Sequence, residues 1–445
     1  MIGMKYESIK TTILIILVLS SIVLTWSLWT YQPEYKNLGE SDDDLVAEVT
    51  TNITKDTSQI IKPTKILYHI DGHHFGTFNE TELNRVMKEL RPWEIREVQN
   101  ITHTVQDQGL ADFLNQSGHV EIYFPDPFPL QLYKSLFINI NDKDHSSISF
   151  DRFVIDVNSE SNGEGIVYFV STGDNLVYEG RVNSRLTREY RKDFYTTATR
   201  YPEQIEYELS DTNSVYLPKD TTIVERVDYY IDAIEIDTFI DSLFTNSSLV
   251  KGDMLTTGEV HTDGTRLLRV YNNQKYIEFI NPTRISGEPE QTTDLIQTSI
   301  DFVNEHVGWT DDYRFFSWSK ERQTTVFKLY VNNIPVFSRL ADIIQEWDNN
   351  DIARYFHPSI NLRIDLDSIK TELPKGEKVM EVITSKRNFN PELLEGVTVA
   401  YDLVENEDNS QFVSLQPVWT YRYNGSWNKV EIKNEDLGGH KDGLE

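Results

Sequence analysis

His69, Asp71, His73 and His74 are the densest group of metal-ligand residue types in this chain. A zinc-type site needs such side chains fixed on a helix or strand and completed by further ligands. Here Asp71-Gly72 is a turn signal, and no His-Glu-x-x-His motif occurs. These residues are therefore expected to be surface or interface histidines. Ser317-Trp318-Ser319-Lys320 has the Ser-x-x-Lys spacing of acylating serine enzymes. That chemistry requires the serine at a helix start, with Ser-Asp-Asn and Lys-Thr-Gly partners. Both partners are missing, and FFSWSKERQTTVFKLY reads as strand and turn. Asn139, Asn141 and Asp144 lack the glycine and terminal glutamate of a calcium loop. Asp365 and Asp367 alternate along a strand-like run and are expected to share a face, as surface carboxylates commonly do. There is no Gly-x-Ser-x-Gly, phosphate loop or dinucleotide fingerprint. The expectation is no catalytic, cofactor-binding or metal residue, and no enzyme.

Net charge sharpens this. At −29, the chain has no basis for holding a nucleic-acid backbone, which calls for a basic patch. Hydrophobic content of 39 % with 12 % aromatic residues suits a packed globular region. Zero cysteines exclude a disulfide-stapled scaffold.

The elements that would position any site begin with residues 11–33, TTILIILVLSSIVLTWSLWTYQP, which carry no charge. Roughly twenty apolar residues in a helix cross a ~30 Å hydrocarbon core, so a signal anchor over 11–31 is expected. The run exceeds a signal-peptide core, and no small-x-small cleavage site follows it. Lys5 and Lys10 precede it and the acidic Glu40, Asp42, Asp43 and Asp44 follow, placing residues 1–10 in the cytoplasm and the bulk outside. Trp26, Trp29 and Tyr31 are the expected interfacial anchors. Leu14, Val18, Ser21, Thr25 and Leu28 fall on one helical face, with Ser21-x-x-x-Thr25 a small-xxx-small pair suited to close helix contact. The bland alternative is that these hydroxyls bond only to their own helix.

Residues 32–62 read as an acidic, Thr/Asp/Asn-rich linker. KILYHI reads as a strand, and Asn79 with Glu82 as a capping box opening ETELNRVMKEL. THTVQDQGLADFLN reads as a second helix ended by Gly118. HVEIYF, KSLFINI, RFVIDV, GIVYFVS and NLVYEGRV read as antiparallel strands, and the polar, basic RLTREYRKDFYTTATRYPE as the interval near a first boundary. Beyond it come the strand-rich YLPKDTTIVERVDYYIDAIEI, the helix DTFIDSLF and the hairpin LLRVYNNQKYIEFINP. In TTDLIQTSIDFVNEHVG, Leu295, Ile296, Ile300 and Val303 recur at helical spacing and Gly308 closes the helix. TTVFKLYVNNIPVFS turns at Asn332-Asn333. PSINLRIDL, KVMEVIT, a short helix PELLEG, VTVAYDLV and LQPVWTYRYNG close the chain. The class is α+β with antiparallel sheets. Exterior units are expected over 63–200, 201–330 and 331–436, with a frayed tail at 437–445.

SIKTTILIILVLSSIVLTWSLWTYQP, VNEHVGWTDDYRF, VNNIPVFS and LQPVWTYRYNGSW together resemble the YycH family of membrane-anchored accessory proteins from low-GC Gram-positive bacteria. The likeness spans essentially the whole chain, although each motif alone is weak. It implies a multi-domain α+β exterior whose later part is related to the sister protein YycI. It also implies no catalytic residues, pairing with a YycI-like partner, and action on the WalK sensor histidine kinase of the WalK–WalR system governing cell-wall metabolism. The competing class is an exported wall-modifying enzyme or wall-ligand binder. A polar pocket of converging carboxylates would favour the enzyme, and an exposed aromatic face a binder.

Overall fold

The structure, a computed structural model, describes Val18, Ser21 and residues 53–135, 139–140, 148–161, 163–256, 258–271, 275–284, 294–406 and 409–432. It divides into a unit of Met1–Thr51 and a unit of Asn52–Glu445. In the first unit, Val18 and Ser21 are α-helical; Leu14, Thr25, Leu28, Trp26, Trp29 and Tyr31 lie outside the described residues. Among the described residues no helix is long and apolar enough to cross a membrane.

The second unit carries two large sheets. The first uses β1 (Lys65–Ile70), β2 (His73–Thr77), β3 (Glu94–Asn100), β4 (His119–Pro129) and β5 (Asn139–Ile140). It continues with β6 (Ser149–Ser161), β7 (Glu164–Ser171), β8 (Leu176–Asn183), β9 (Glu203–Ser210) and β10 (Asn213–Pro218). Their spatial order is β10-β9-β2-β1-β4-β6-β7-β8-β3-β5. Short helices α1 (Thr57–Ile60), α2 (Glu80–Leu90), α3 (Thr102–Gln106), α4 (Leu110–Leu114) and α5 (Ser184–Asp193) accompany it.

The second sheet begins with β11 (Thr222–Ala233), β12 (Lys251–Leu255), β13 (Gly258–Thr262), β14 (Leu267–Tyr271) and β15 (Tyr276–Ile280). There follow β16 (Tyr313–Ser319), β17 (Thr324–Val331), β18 (Ile334–Phe337), β19 (Asp342–Asp348) and β20 (Asp351–Pro358). β21 (Ile360–Leu373), β22 (Leu394–Glu405), β23 (Phe412–Tyr423) and β24 (Ser426–Lys429) complete it. The helices here are α6 (Ile236–Leu243), α7 (Leu295–Glu305) and α8 (Gly376–Thr384). The order is β12-β13-β14-β15-β20-β19-β17-β18-β22-β23-β11-β21, with β16 beside β17 and β24 beside β23.

This is an α+β architecture. Its sheets are not wholly antiparallel as expected, because β3 runs parallel to β5 and β18 parallel to β22. Hairpin turns follow their chemistry: Asp71 and Gly72 have φ of 49° and 79°, and Asn332 and Asn333 of 51° and 66°. Left-handed φ at both central positions is the primed-turn geometry that Asn and Gly tolerate best.

Several expectations need correction. The second helix is two short helices, α3 and α4, because Gly109 between them sits at φ 87°. KSLFINI starts as 3-10 backbone over Leu130–Ser135, with Asn139–Ile140 its described strand portion. The basic interval RLTREYRKD is helix α5, which buries Ser184, Thr187 and Tyr190. The short helix expected at PELLEG is one 3-10 turn, Pro391–Leu393; KVMEVIT, whose element type the pattern left open, lies in α8, which buries Val379, Met380 and Ile383. The capping box at α2 is half formed: Asn79 accepts from the Glu82 N–H at 3.2 Å. Glu82 turns its carboxylate to Tyr201 and Arg200 instead. Asp365 and Asp367 lie on β21, where the register against β11 shifts between them, and their side chains lie outside the described residues.

One apolar core runs through both sheets. Leu83, Val86, Trp93 and Tyr190 pack in it with Ile300, Trp309, Phe327 and Trp419. β4 and β16 weld the two sheets: Phe128 lies 6.3 Å from Phe315, and the Trp318 indole N–H donates to the Pro127 carbonyl at 2.7 Å. A smaller cluster under α3 and α4 joins Phe113, Val154, Tyr168 and Val177 on the opposite face of the first sheet.

Candidate functional site, the seat of the N-terminal strap

The histidines come first, since their residue types could have done chemistry. Alternation along β1 and β4 puts Lys65 and His69 with Glu121 and Tyr123 on one face, opposite Ile66, Tyr68, Val120 and Ile122 of the core. Such a face reads as solvent-exposed, yet His69 is fully buried and His74 nearly so. The reason is curvature. Tyr216 on β10 reaches back over the face, its ring 5.5 Å from His69 and 5.0 Å from His74, and its carbonyl accepts from Lys65 Nζ at 2.8 Å. His69 bonds His74 at 2.8 Å between Nδ1 atoms and Glu121 at 2.9 Å through Nε2. Glu121 also accepts from Tyr123. Burial, and next the neighbouring His69, bring His74 down to about 4. Burial brings Lys65 down to about 8. His73 points the other way, exposed, 3.0 Å from Glu203. The surface expectation thus fails for His69 and His74, and no group of three or more metal-ligating side chains forms among the described residues. Ser317 lies on β16, within a strand rather than at a helix start.

The most organised polar constellation lies elsewhere, where residues 53–64 run along α7, β16 and the β17–β18 turn. This strap was expected to belong to a loose linker, but Ile60 and Ile61 are 0 % and 1 % exposed. Asn304, at the end of α7, reads the strap backbone. Its Oδ1 accepts from the Lys55 N–H at 2.9 Å, and its Nδ2 donates to the Lys55 carbonyl at 3.1 Å. The Trp309 indole donates to the same Oδ1 at 2.8 Å and fixes the amide's orientation. The Trp309 backbone N–H closes on the Ile53 carbonyl at 3.0 Å. Thr57 donates to Gln297 on α7 at 2.8 Å.

Charges finish the seat. Lys55 Nζ donates to the Asp311 carbonyl at 2.8 Å and lies 3.7 Å from Asp312, while Lys62 lies 3.8 Å from Asp312 and 3.9 Å from Glu80. Arg314, 2 % exposed, bridges Asp312 at 2.5 Å, Glu80 at 2.6 Å and Asn333 at 2.5 Å. Asn333 passes the connection on, donating to the carbonyls of Thr64 and Phe78 at 3.0 Å each. Burial lowers both lysines. Burial pushes Asp312 upward too, but Arg314, Lys62 and Lys55 outweigh it and hold its carboxyl below the usual range. Asp311 lacks that compensation, and burial lifts it to about 7 although Leu362 N–H and Lys55 oppose the rise.

The seat has no nucleophile–base pair. What it can do is hold one stretch of backbone in one place, with donors and acceptors matched and a buried guanidinium fully engaged. VNEHVGWTDDYRF supplies Asn304, Trp309, Asp311, Asp312 and Arg314, and VNNIPVFS supplies Asn333. Both motifs were visible; their partner, about 250 residues earlier in sequence, was not.

With this geometry in view, the similarities are specific. Residues 7–198 match the YycH protein N-terminal domain, and residues 212–436 the YycH protein C-terminal domain. The chain is 27 % identical over 439 residues to the Two-component system WalR/WalK regulatory protein YycH of Bacillus subtilis (strain 168), covering 95 % of this chain and 96 % of that one. Its fold is similar to the crystal structure of YycH from Bacillus subtilis, with TM-score 0.71 and 23 % identity over 85 % of this chain and 98 % of that one.

Proposed function

This chain belongs to the YycH family, and from that premise we propose that it is a non-enzymatic, membrane-anchored regulator of a WalK-type sensor histidine kinase. The observation that carries this reading is the likeness to a named regulator along nearly the full length of both chains. The seat supports it, because its chemistry is that of holding rather than transforming. In this proposal residues 11–31 span the membrane with the N-terminus inside, as the charge-free run and Lys5 and Lys10 suggest. The bulk of the chain, the strap included, then lies outside.

Regulation works through association. A regulator shifts a kinase between two states only as far as it binds them unequally. The Leu14, Val18, Ser21, Thr25 and Leu28 face is the proposed contact within the membrane, with a YycI-like protein as the paired partner. Affinity purification of the full-length chain from membranes tests this. Recovery of a histidine kinase and a second single-span protein is expected; recovery of neither sinks the proposal.

A further inference from the structure

The parallel pairing of β18 with β22, at Val336↔Tyr401 and Phe337↔Asp402, joins two otherwise antiparallel wings of the second sheet. Beside this seam lies a pocket of about 340 Å³, lined in part by Lys328, Phe337, Asp342, Asp402, Trp427 and Lys429. Its volume is at the lower end of the roughly 300–1,000 Å³ of small-molecule sites.

The lining alternates aromatic surface with paired opposite charges. Lys328 Nζ donates to both oxygens of Asp342, at 2.7 and 2.9 Å, and sits 4.6 Å from the Phe337 ring centre and 5.0 Å from that of Phe316. Lys429 donates to Asp402 at 2.5 Å. Trp427 is half-buried, its ring 5.3 Å from Phe337 and 5.9 Å from Phe316. Those aromatic neighbours hold the indole against the pocket wall.

This combination narrows the ligand by elimination. A small anion meets Asp342 and Asp402, and a cation meets Lys328 and Lys429; the third cation of the lining, Arg339, is engaged with the rings of Tyr276 and Phe356, at 5.7 and 4.6 Å. A wholly apolar ligand would strip water from the ion pairs and return no hydrogen bond. A neutral polyhydroxylated ring avoids all three conflicts. Its hydroxyls both donate and accept, so one ligand can serve a carboxylate and its ammonium together. Its C–H face matches an amphipathic indole. We propose that this pocket binds a neutral saccharide, one short enough for a small site, and that Trp427 and Asp402 are its principal contacts. The inference stands independently of the kinase reading.

The test uses the full-length chain in lipid nanodiscs, which introduces no glycoside detergent. Cellobiose, maltose and N,N′-diacetylchitobiose are titrated by saturation-transfer NMR, with inorganic phosphate as the charged probe. Saturable binding of at least one sugar at about millimolar strength is expected, and no saturable binding of phosphate. Trp427→Ala and Asp402→Asn should each weaken the sugar roughly tenfold, since each removes a stacking surface or a charge-assisted acceptor. Asp402→Asn preserves side-chain shape, so it decides the matter if Trp427→Ala unfolds the chain. No saturable sugar binding up to ~20 mM, phosphate binding in its place, or sugar binding unchanged by Asp402→Asn overturns the proposal.

Discussion

Asn304 uses one side-chain amide for three hydrogen bonds, two to the Lys55 backbone and one to Trp309. Asn304→Ala leaves those part-buried groups without their partner, and an unsatisfied group costs up to about 1–3 kcal/mol where burial is complete. The expected result is a destabilisation of about 1–2 kcal/mol in denaturant unfolding, with faster proteolysis near residue 55. Asn304→Asp keeps the acceptor and should cost less. Asp311 carries a pH signature. Lifted by burial to about 7, it keeps a proton in the folded state that an unfolded carboxyl, at ~3.9, has released. The folded chain therefore binds more protons between about pH 4 and 7, and stability falls as pH rises through that window. His74, lowered to about 4, acts in the opposite sense between about pH 4 and 6.5. The comparison must therefore be made against the parent chain. Asp311→Asn should shrink the loss of thermal stability between pH 5 and 8 relative to the parent; an unchanged difference contradicts the assignment. None of this was legible locally. Asn304 sat inside a helix identified by its apolar spacing, and nothing in that spacing marks the amide's distant partner.

Elements were legible where local chemistry dominated. The β1–β2 and β17–β18 turns announce themselves through Asp-Gly and Asn-Asn, and α7 through its buried Leu295, Ile296, Ile300 and Val303. Elements failed where one residue or a tertiary contact overrode the pattern. Gly109 splits a helix that otherwise reads as continuous. Helix α5 is so polar that it passes for a linker, yet every third position, Ser184, Thr187 and Tyr190, is buried. The buried histidine face needed the curl of β10, which no alternation pattern encodes. The proposed membrane helix has its own test. Close contacts and hydrogen bonds between helices in lipid are each worth about 0.6–2 kcal/mol, so two bulky changes should shift association several-fold or more. Ser21→Leu with Thr25→Leu should keep insertion but weaken co-purification with the partner. The same change at Ile16 and Val23 should do little, and equal effects from both pairs would reduce the span to a tether.

At the scale of the whole molecule, the α+β class and the family likeness could be read from the sequence, whereas the pairing order of the sheets could not. β11 pairs with β21 and β23, which lie more than a hundred residues further on, so the second sheet closes around everything between. Loop closure over such distances leaves no mark on local composition. Topology is tested with protease on intact protoplasts: the large C-terminal region should be digested and an N-terminal epitope spared, and digestion of the epitope alone would contradict the proposed orientation. The central claim, that this chain biases a sensor kinase by association, is tested most directly by reconstitution. A WalK-type kinase in nanodiscs, with and without equimolar full-length chain, is assayed for autophosphorylation rate. Since only unequal binding to two kinase states can regulate, the account predicts a rate changed by roughly twofold or more, in either direction. The double Ser21/Thr25 variant should show a smaller change. A kinase rate unaffected by the equimolar chain would contradict the account.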